Sequence, residues 1–383
     1  MLVTADAGPA TSVGHLWLAD FRCLRQVDVE LGTGLTVLHG ANGQGKTSLL
    51  EAIGWVARAR SFRGVPDAML VRAGASEAIV RAEVTTGDRR QLFEAEVRSA
   101  GRNRVLCNRQ PVARARDLHG LLRVTVFAPD DLALVKGGPS ERRDFLDELL
   151  AMLAARYDAA RADYEKVLKQ RNALLRSGIR DDEAGVTLDV FDDQLVRSGA
   201  ELTRGRLRLL ERLGPAVADA YARLALDSRP VTVSYVSESS PAPLTAEDAT
   251  PALVEQQLRD ALARRRRAEL DRGLTLVGPH RDELRLQIDG LDARHQASQG
   301  EQRTLAFALR LAGHLVVREL VGVVPVLLLD DVFSELDQQR AAALVRHLPP
   351  GQTLITTAGA LPPDVVAQQT LSVREGAVEV SRA

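Results

Sequence analysis

Only two cysteines occur in this 383-residue chain, Cys23 and Cys107, far apart and outside any metal-ligand spacing. That argues against a disulfide framework or a thiolate metal site, and reduced cytoplasmic thiols are the expectation. No stretch approaches the ~18 consecutive apolar residues that a membrane span needs, so a membrane partner is not expected. The start of the chain lacks a basic-then-apolar leader; Met1–Gly14 reads as a disordered lead-in. No Asp-x-Asp pair occurs anywhere, which weighs against a nuclease metal cluster. Lysine is scarce as well: Lys46, Lys136, Lys166 and Lys169 are the only four, the remaining basic residues being arginines.

What is present is ordinary for a soluble globular protein: 45% hydrophobic and 26% charged residues with a net charge of -1. Such a charge neither favours nor excludes nucleic acid, because acidic patches mask basic ones. Residues 15–39 alternate like paired strands, and Leu35–Leu38 is a short buried strand. A helix carrying Leu49, Leu50, Ile53, Val56 and Ala57 at helical spacing follows. Strand patterns return at Ala78–Val84, Leu92–Val97 and Val124–Phe127. From Pro139 the pattern becomes helical, with Ser140 expected as N-cap and one helix running to about Leu175. A second helical region spans Leu188–Leu226, with a break expected at Gly214-Pro215. Residues 238–250 read as an exposed loop. A basic helix (Leu253–Leu270) and a hairpin-like stretch (Leu274–Ile288) follow. The alternation predicts an α/β fold interrupted by a helical insertion.

The segment Gly40-Ala41-Asn42-Gly43-Gln44-Gly45-Lys46-Thr47, followed by Ser48, fits G-x-x-x-x-G-K-[ST] between a strand and a helix. Its glycines let backbone N–H groups turn onto phosphates at a helix N-terminus. In that geometry Lys46 reaches the β- and γ-phosphates and the Thr47 hydroxyl ligates Mg²⁺. The apolar run Val324–Leu329 ends in Asp330-Asp331, at the strand edge where α/β folds place ligands. Asp330 is expected to hold Mg²⁺ and Asp331 to polarise the attacking water. Ser298-Gln299-Gly300-Glu301-Gln302, 32 residues before Asp330, opens a helix and offers a second anion site. Ser334-Glu335-Leu336-Asp337 completes an ordered four-part series, in which Ser334 and Asp337 are further candidate nucleotide contacts.

This series resembles the ABC-type ATPases of DNA maintenance, and within them the RecF family of bacterial recombination and repair proteins. The resemblance spans about residues 15–380. It includes Asp20-Phe21-Arg22, Ser61-Phe62-Arg63, Pro139-Ser140-Glu141-Arg142-Arg143 and Gly278-Pro279-His280-Arg281-Asp282, besides the series above. It implies a P-loop ABC-type ATPase head with an inserted, mainly helical second lobe forming a short antiparallel arm. On that basis residues 15–138 and 272–383 make the head and 139–271 the lobe. It further implies two ATP molecules sandwiched between two subunits, Lys46 of one and Ser298–Gly300 of the other holding the same γ-phosphate. An ATP-dependent homodimer would then bind double-stranded DNA near gaps. RecR and RecO would be partners, RecA would be loaded on single-stranded DNA, and the protein would work in the cytoplasm on the nucleoid.

Two features depart from transporter ATPases, which carry Glu where Asp331 stands and His after the next strand. Here that strand ends in Thr356-Thr357, and the shorter carboxylate predicts slow ATP hydrolysis, which the resemblance implies is DNA-dependent. No glutamine loop is evident; Phe127–Asp131 holds only the corresponding position. His280-Arg281-Asp282 lacks the Asn and Asp-Phe-Gly of a kinase loop and is expected at a lobe interface. Arg264–Arg267 could contact DNA phosphates or line a solvated face, and Arg63 could approach nucleotide or DNA or sit in a surface ion pair. Other repair ATPases of the SMC or RecN kind, and a transporter ATPase subunit, are the alternatives. The insertion is far too short for an SMC tether.

Overall fold

In the computed structural model, which describes residues 8–118, 120–177, 182–225, 229–240, 242–334, 336–359 and 365–380, the chain forms two compact units. In chain order the strands and helices are β1 (Thr11–Phe21), β2 (Leu24–Glu30), β3 (Leu35–His39), α1 (Lys46–Arg58), β4 (Glu77–Thr86), β5 (Arg89–Arg98), β6 (Arg104–Cys107), β7 (Gln110–Pro111) and β8 (Val124–Phe127). Then come α2 (Ala133–Lys136), α3 (Pro139–Leu153), α4 (Ala155–Ser177), α5 (Asp182–Leu224), β9 (Val231–Val236) and α6 (Pro251–Arg272). The last are β10 (Glu283–Ile288), β11 (Leu291–Asp292), α7 (Ala293–Gln296), α8 (Gln299–Val321), β12 (Val326–Leu329), α9 (Gln338–Arg346), β13 (Thr353–Thr357), β14 (Gln369–Arg374) and β15 (Ala377–Val380).

The first unit joins residues 1–132, 220–228 and 299–383. One of its sheets is antiparallel, in the order β2-β1-β4-β5-β6-β7, with inward and outward residues alternating along β1. The other has the order β15-β14-β3-β13-β12-β8 and is parallel apart from β15. Every residue of β12 (Val-Leu-Leu-Leu) is buried, as expected of a parallel strand covered on both faces. Helix α1 packs on β1 and β4 of one sheet and on β8 and β13 of the other. Leu49, Leu50, Ile53, Trp55 and Val56 are fully enclosed, each burial contributing about 1.5–3 kcal/mol. Because α1 is clamped from both sides, the loop feeding its N-terminus has a fixed base.

The second unit comprises residues 133–219 and 229–298. Its helices accompany a three-stranded sheet, β11-β10-β9. The sequence pattern misses β9, and the expected hairpin over Leu274–Ile288 is instead β10 paired antiparallel with β9 and β11. That pairing carries the unit on to Ser298, past the expected boundary at 271. Four further expectations are corrected. Residues 11–14, read as lead-in, belong to β1, and residues 1–7 lie outside the described residues. Gly138, not Ser140, is the N-cap of α3, and an extended Ala154 separates α3 from α4. Helix α5 runs unbroken through Pro215; Pro215 and Glu211 lie on its exposed side, so the carbonyl that proline leaves unbonded can be hydrated. No helix among the described residues is long and apolar enough to cross a membrane.

Candidate nucleotide site

The loop between β3 and α1 needs glycine for steric reasons at two points. Gly40 has φ 156°, and a Cβ there would lie 2.3 Å from the Val373 carbonyl oxygen of β14. Gly45 has φ 110°, and its Cβ would meet Leu24 at 2.7 Å. Gly43 is also left-handed, at φ 79°, and Ala41, Asn42 and Gly43 face solvent. Helix α1 begins at Lys46, so its unbonded N–H groups point at the loop. The Lys46 ammonium donates to the Gly40 (2.7 Å) and Ala41 (2.9 Å) carbonyls. Burial lowers its pKa, and the nearby charges of Asp331 and Asp330 pull it back up. Gln44 is an anchor: its side chain accepts the Glu375 N–H, and its carbonyl accepts the Gly376 N–H. Ser48 is buried on α1 beside the Cys23 thiol.

Asp330 lies at the end of β12, and 283 residues separate it from its neighbour Thr47, whose hydroxyl donates to Asp330 Oδ1 at 2.7 Å. The Thr356 hydroxyl on β13 donates to the same oxygen at 2.8 Å and accepts the Asp331 N–H at 2.8 Å. Burial raises the Asp330 pKa, while the hydrogen bonds from Thr47 and Thr356 and the charge of Arg63 lower it. Asp331 is left-handed, with φ 47°, a region that Asp enters at less cost than longer side chains. The Ser334 hydroxyl donates to the Asp331 carbonyl at 2.8 Å and lies 3.0 Å from its carboxylate. The paired oxygens of Thr47 and Asp330 fit a small hard cation that takes its other ligands from phosphate and water.

A second group gathers at the start of α8. Ser298 and Gln299 are exposed, whereas Glu301 and Gln302 turn inward. The Thr304 hydroxyl donates to the Gly300 carbonyl at 2.8 Å. Asp337 caps α9 by accepting the Arg340 N–H at 2.8 Å and pairs with the same residue's guanidinium. Glu335 lies outside the described residues. The sequence-derived candidates therefore assemble as two groups: the loop with Thr47, Asp330 and Asp331, and Gly300 with Asp337.

Sequence reasoning missed three participants. Thr356 was noticed only as an absent histidine. Glu51, fully buried on α1, takes a bidentate pair from Arg22 (2.8 Å each) and a hydrogen bond from Ser61. This ties Asp20-Phe21-Arg22 to Ser61-Phe62-Arg63 and fixes the segment that carries Arg63. A carboxylate between Leu50 and Ile53 on the apolar face was the available signal. The third participant is Arg340. Elsewhere, Arg266 is held by Asp189 and Asp192, while Arg264, Arg265 and Arg267 are exposed. His280 and Asp282 belong to the interior network of the second unit. In the candidate glutamine-loop position, Asp131 pairs with Arg310 at 2.7 Å.

Residues 12–358 match the family model for the RecF/RecN/SMC N terminal domain. The chain is 48% identical to the DNA replication and repair protein RecF of Frankia alni, over 93% of this chain and 95% of that one. It is 45% identical to the RecF of Streptomyces avermitilis, over 96% and 99%. A solved structure described as the recombination mediator protein RecF-ATP in the RecFOR pathway superposes with a TM-score of 0.89 at 28% identity, covering 99% of this chain and 100% of that one. The Smc head domain of Pyrococcus furiosus, at TM-score 0.55 and 16% identity over 97% and 96%, shares the fold alone. The chain belongs to the RecF family of DNA replication and repair proteins.

Proposed function

We propose that this chain is an ATP-dependent DNA-binding protein of recombinational repair, whose ATP site is completed by a second copy. The observation that carries the reading is the convergence of Lys46, Thr47, Asp330, Asp331 and Thr356 at one strand edge. Gly40–Ser48 cradles the triphosphate with backbone N–H groups, and Lys46 binds its β- and γ-oxygens. Thr47 and Asp330 would hold Mg²⁺, which when bound neutralises charge on those oxygens. Asp331 orients a water and accepts its proton; Ser334 steadies that carboxylate. The short side chain in a left-handed backbone makes turnover slow, suiting a release timer better than a motor.

Ser298, Gln299 and Gly300, at the start of α8, serve the γ-phosphate held by the other copy, with Glu301 and Gln302 supporting the turn and Asp337 fixing its neighbour. ATP then joins two copies around DNA, and hydrolysis lets them part. Partners of this reading are double-stranded DNA next to single-stranded gaps, RecR and RecO, with RecA loading as the outcome, all on the cytoplasmic nucleoid. The RecFOR pathway named for a solved relative supports it. The test is DNA affinity and molecular size of the purified protein with ATP, with ADP and without nucleotide. ATP should raise both; no response of either to ATP would sink the reading. Asp331→Asn should keep ATP binding and end turnover.

A further inference from the structure

The strongest unassigned feature lies on α9, at the residue that Asp337 holds. The Asp337 carboxylate grips Arg340 twice, through its backbone N–H and through Nη1. Held in this way, the guanidinium lies against Gly300. A Cβ built on Gly300 would stand 3.2 Å from Nη1, 3.4 Å from Nη2 and 3.5 Å from Cζ of Arg340. Its Nε is buried without an acceptor among the described residues, an unusual state for a charged donor. Asp337 and the turn at Gly300 are thus joined by one cation.

We propose that Arg340 is a nucleotide-binding residue acting in trans: it accompanies Gly300 to the triphosphate of a second copy and donates to its terminal phosphate. This rests on the composite site proposed above. Arginine suits the task because its planar fork matches phosphate oxygens and stays charged at any working pH. Asp337 keeps the fork oriented, so little freedom is lost when the phosphate arrives. A Cβ at position 300 would crowd the guanidinium, which would have to give by a few tenths of an ångström.

The test mixes two damaged proteins. Arg340→Gln keeps much of the length and a hydrogen bond to Asp337 but removes the charge, and alone it should lose at least tenfold in ATP turnover. Asp331→Asn alone should be inactive. In their mixed dimer one site takes an intact loop from the Arg340→Gln copy and an intact Arg340 from the Asp331→Asn copy. An equimolar mixture should therefore regain roughly a quarter of wild-type turnover, since half of randomly paired dimers carry one intact site. Arg340→Lys should retain more turnover than Arg340→Gln, which a mere packing role would not require. Wild-type turnover in Arg340→Gln, or no recovery in the mixture while wild type dimerises with ATP, would overturn the proposal. If wild type itself fails to dimerise with ATP, the composite site falls first.

Discussion

In the unit that carries the phosphate loop, β3, β12 and α1 supply an apolar interior, and the functional ionisable groups stand at the strand ends. In the other unit several ion pairs lie inside, where the first has Glu51 with Arg22. Arg171 and Glu269 pair at 2.7 Å, both with no exposed side-chain surface, and Arg206 grips Asp147 at 2.8 Å with both almost fully buried. Arg142 binds Glu283 from a buried position. Arg171 also reaches Asp192 and the Thr275 hydroxyl, so one guanidinium holds α4, α5 and α6 together with the following loop. Apolar packing tolerates substitutions that preserve shape, whereas a buried ion pair tolerates only joint replacement. The first unit is thus built for a polar edge on a hydrophobic base, and the second for fixed helix positions.

The largest effect expected from this contrast is in Arg171→Met, which strands the buried Glu269. Urea unfolding should show a loss of about 3–5 kcal/mol. Leu328→Met in the apolar sheet should cost less than about 1.5 kcal/mol. Equal losses would erase the distinction.

A pH series probes the interior charges further. Burial lowers the His280 pKa to about 4, with Arg281, Arg143 and Arg171 nearby. Its ring accepts from the Tyr164 hydroxyl at 2.6 Å and donates to the Thr275 carbonyl, as a neutral imidazole does. Burial raises the Asp282 pKa to about 6, against the Tyr235 hydrogen bond and the charges of Arg206 and Arg143. The folded state therefore binds fewer protons at His280 and more at Asp282 than the unfolded chain. As pH falls from about 6.5 to about 4, His280 takes stability away. Asp282 returns it as pH falls from about 6 toward its unfolded value. Asp282→Asn should leave the His280 loss uncompensated, on the order of 2 kcal/mol across that window. His280→Asn should reverse the slope. Parallel melting curves for both variants and wild type would refute the pairing.

The smallest effect belongs to the polar edge. Thr356→Val should lower ATP turnover about tenfold by releasing Asp330 and the Asp331 N–H, while Thr356→Ser stays within about twofold of wild type. Equal turnover in both variants would make the hydroxyl irrelevant.

What could be read in advance follows from how local each signal is. The phosphate loop and the acidic strand are contiguous runs whose chemistry lies in neighbouring residues, so Gly40–Thr47 and Asp330-Asp331 were legible. Thr356, Glu51 and Arg340 act through partners 26, 29 and 40 positions away, which no periodicity encodes. Val231–Val236 was missed although Val231, Val233 and Tyr235 alternate with Thr232 and Ser234, because the strand is short and its partner β10 comes after another helix. Gly214-Pro215 looked like a break because both residues disfavour a helix interior, a local preference that the packing of α5 overrides.

The parallel sheet also has a timetable. Gln352 bonds to the backbone of Val13, 339 residues away, and β3 has no parallel neighbour until β13 and β14 exist. At about 5–20 residues per second of synthesis, β3 and the loop it supports wait roughly 20 s to a minute for their partners. During that interval the second unit has already been made in full. The unit of buried ion pairs can therefore finish first, and a nascent chain that stalls late would carry a finished second unit while its phosphate loop still lacked the parallel sheet beneath it.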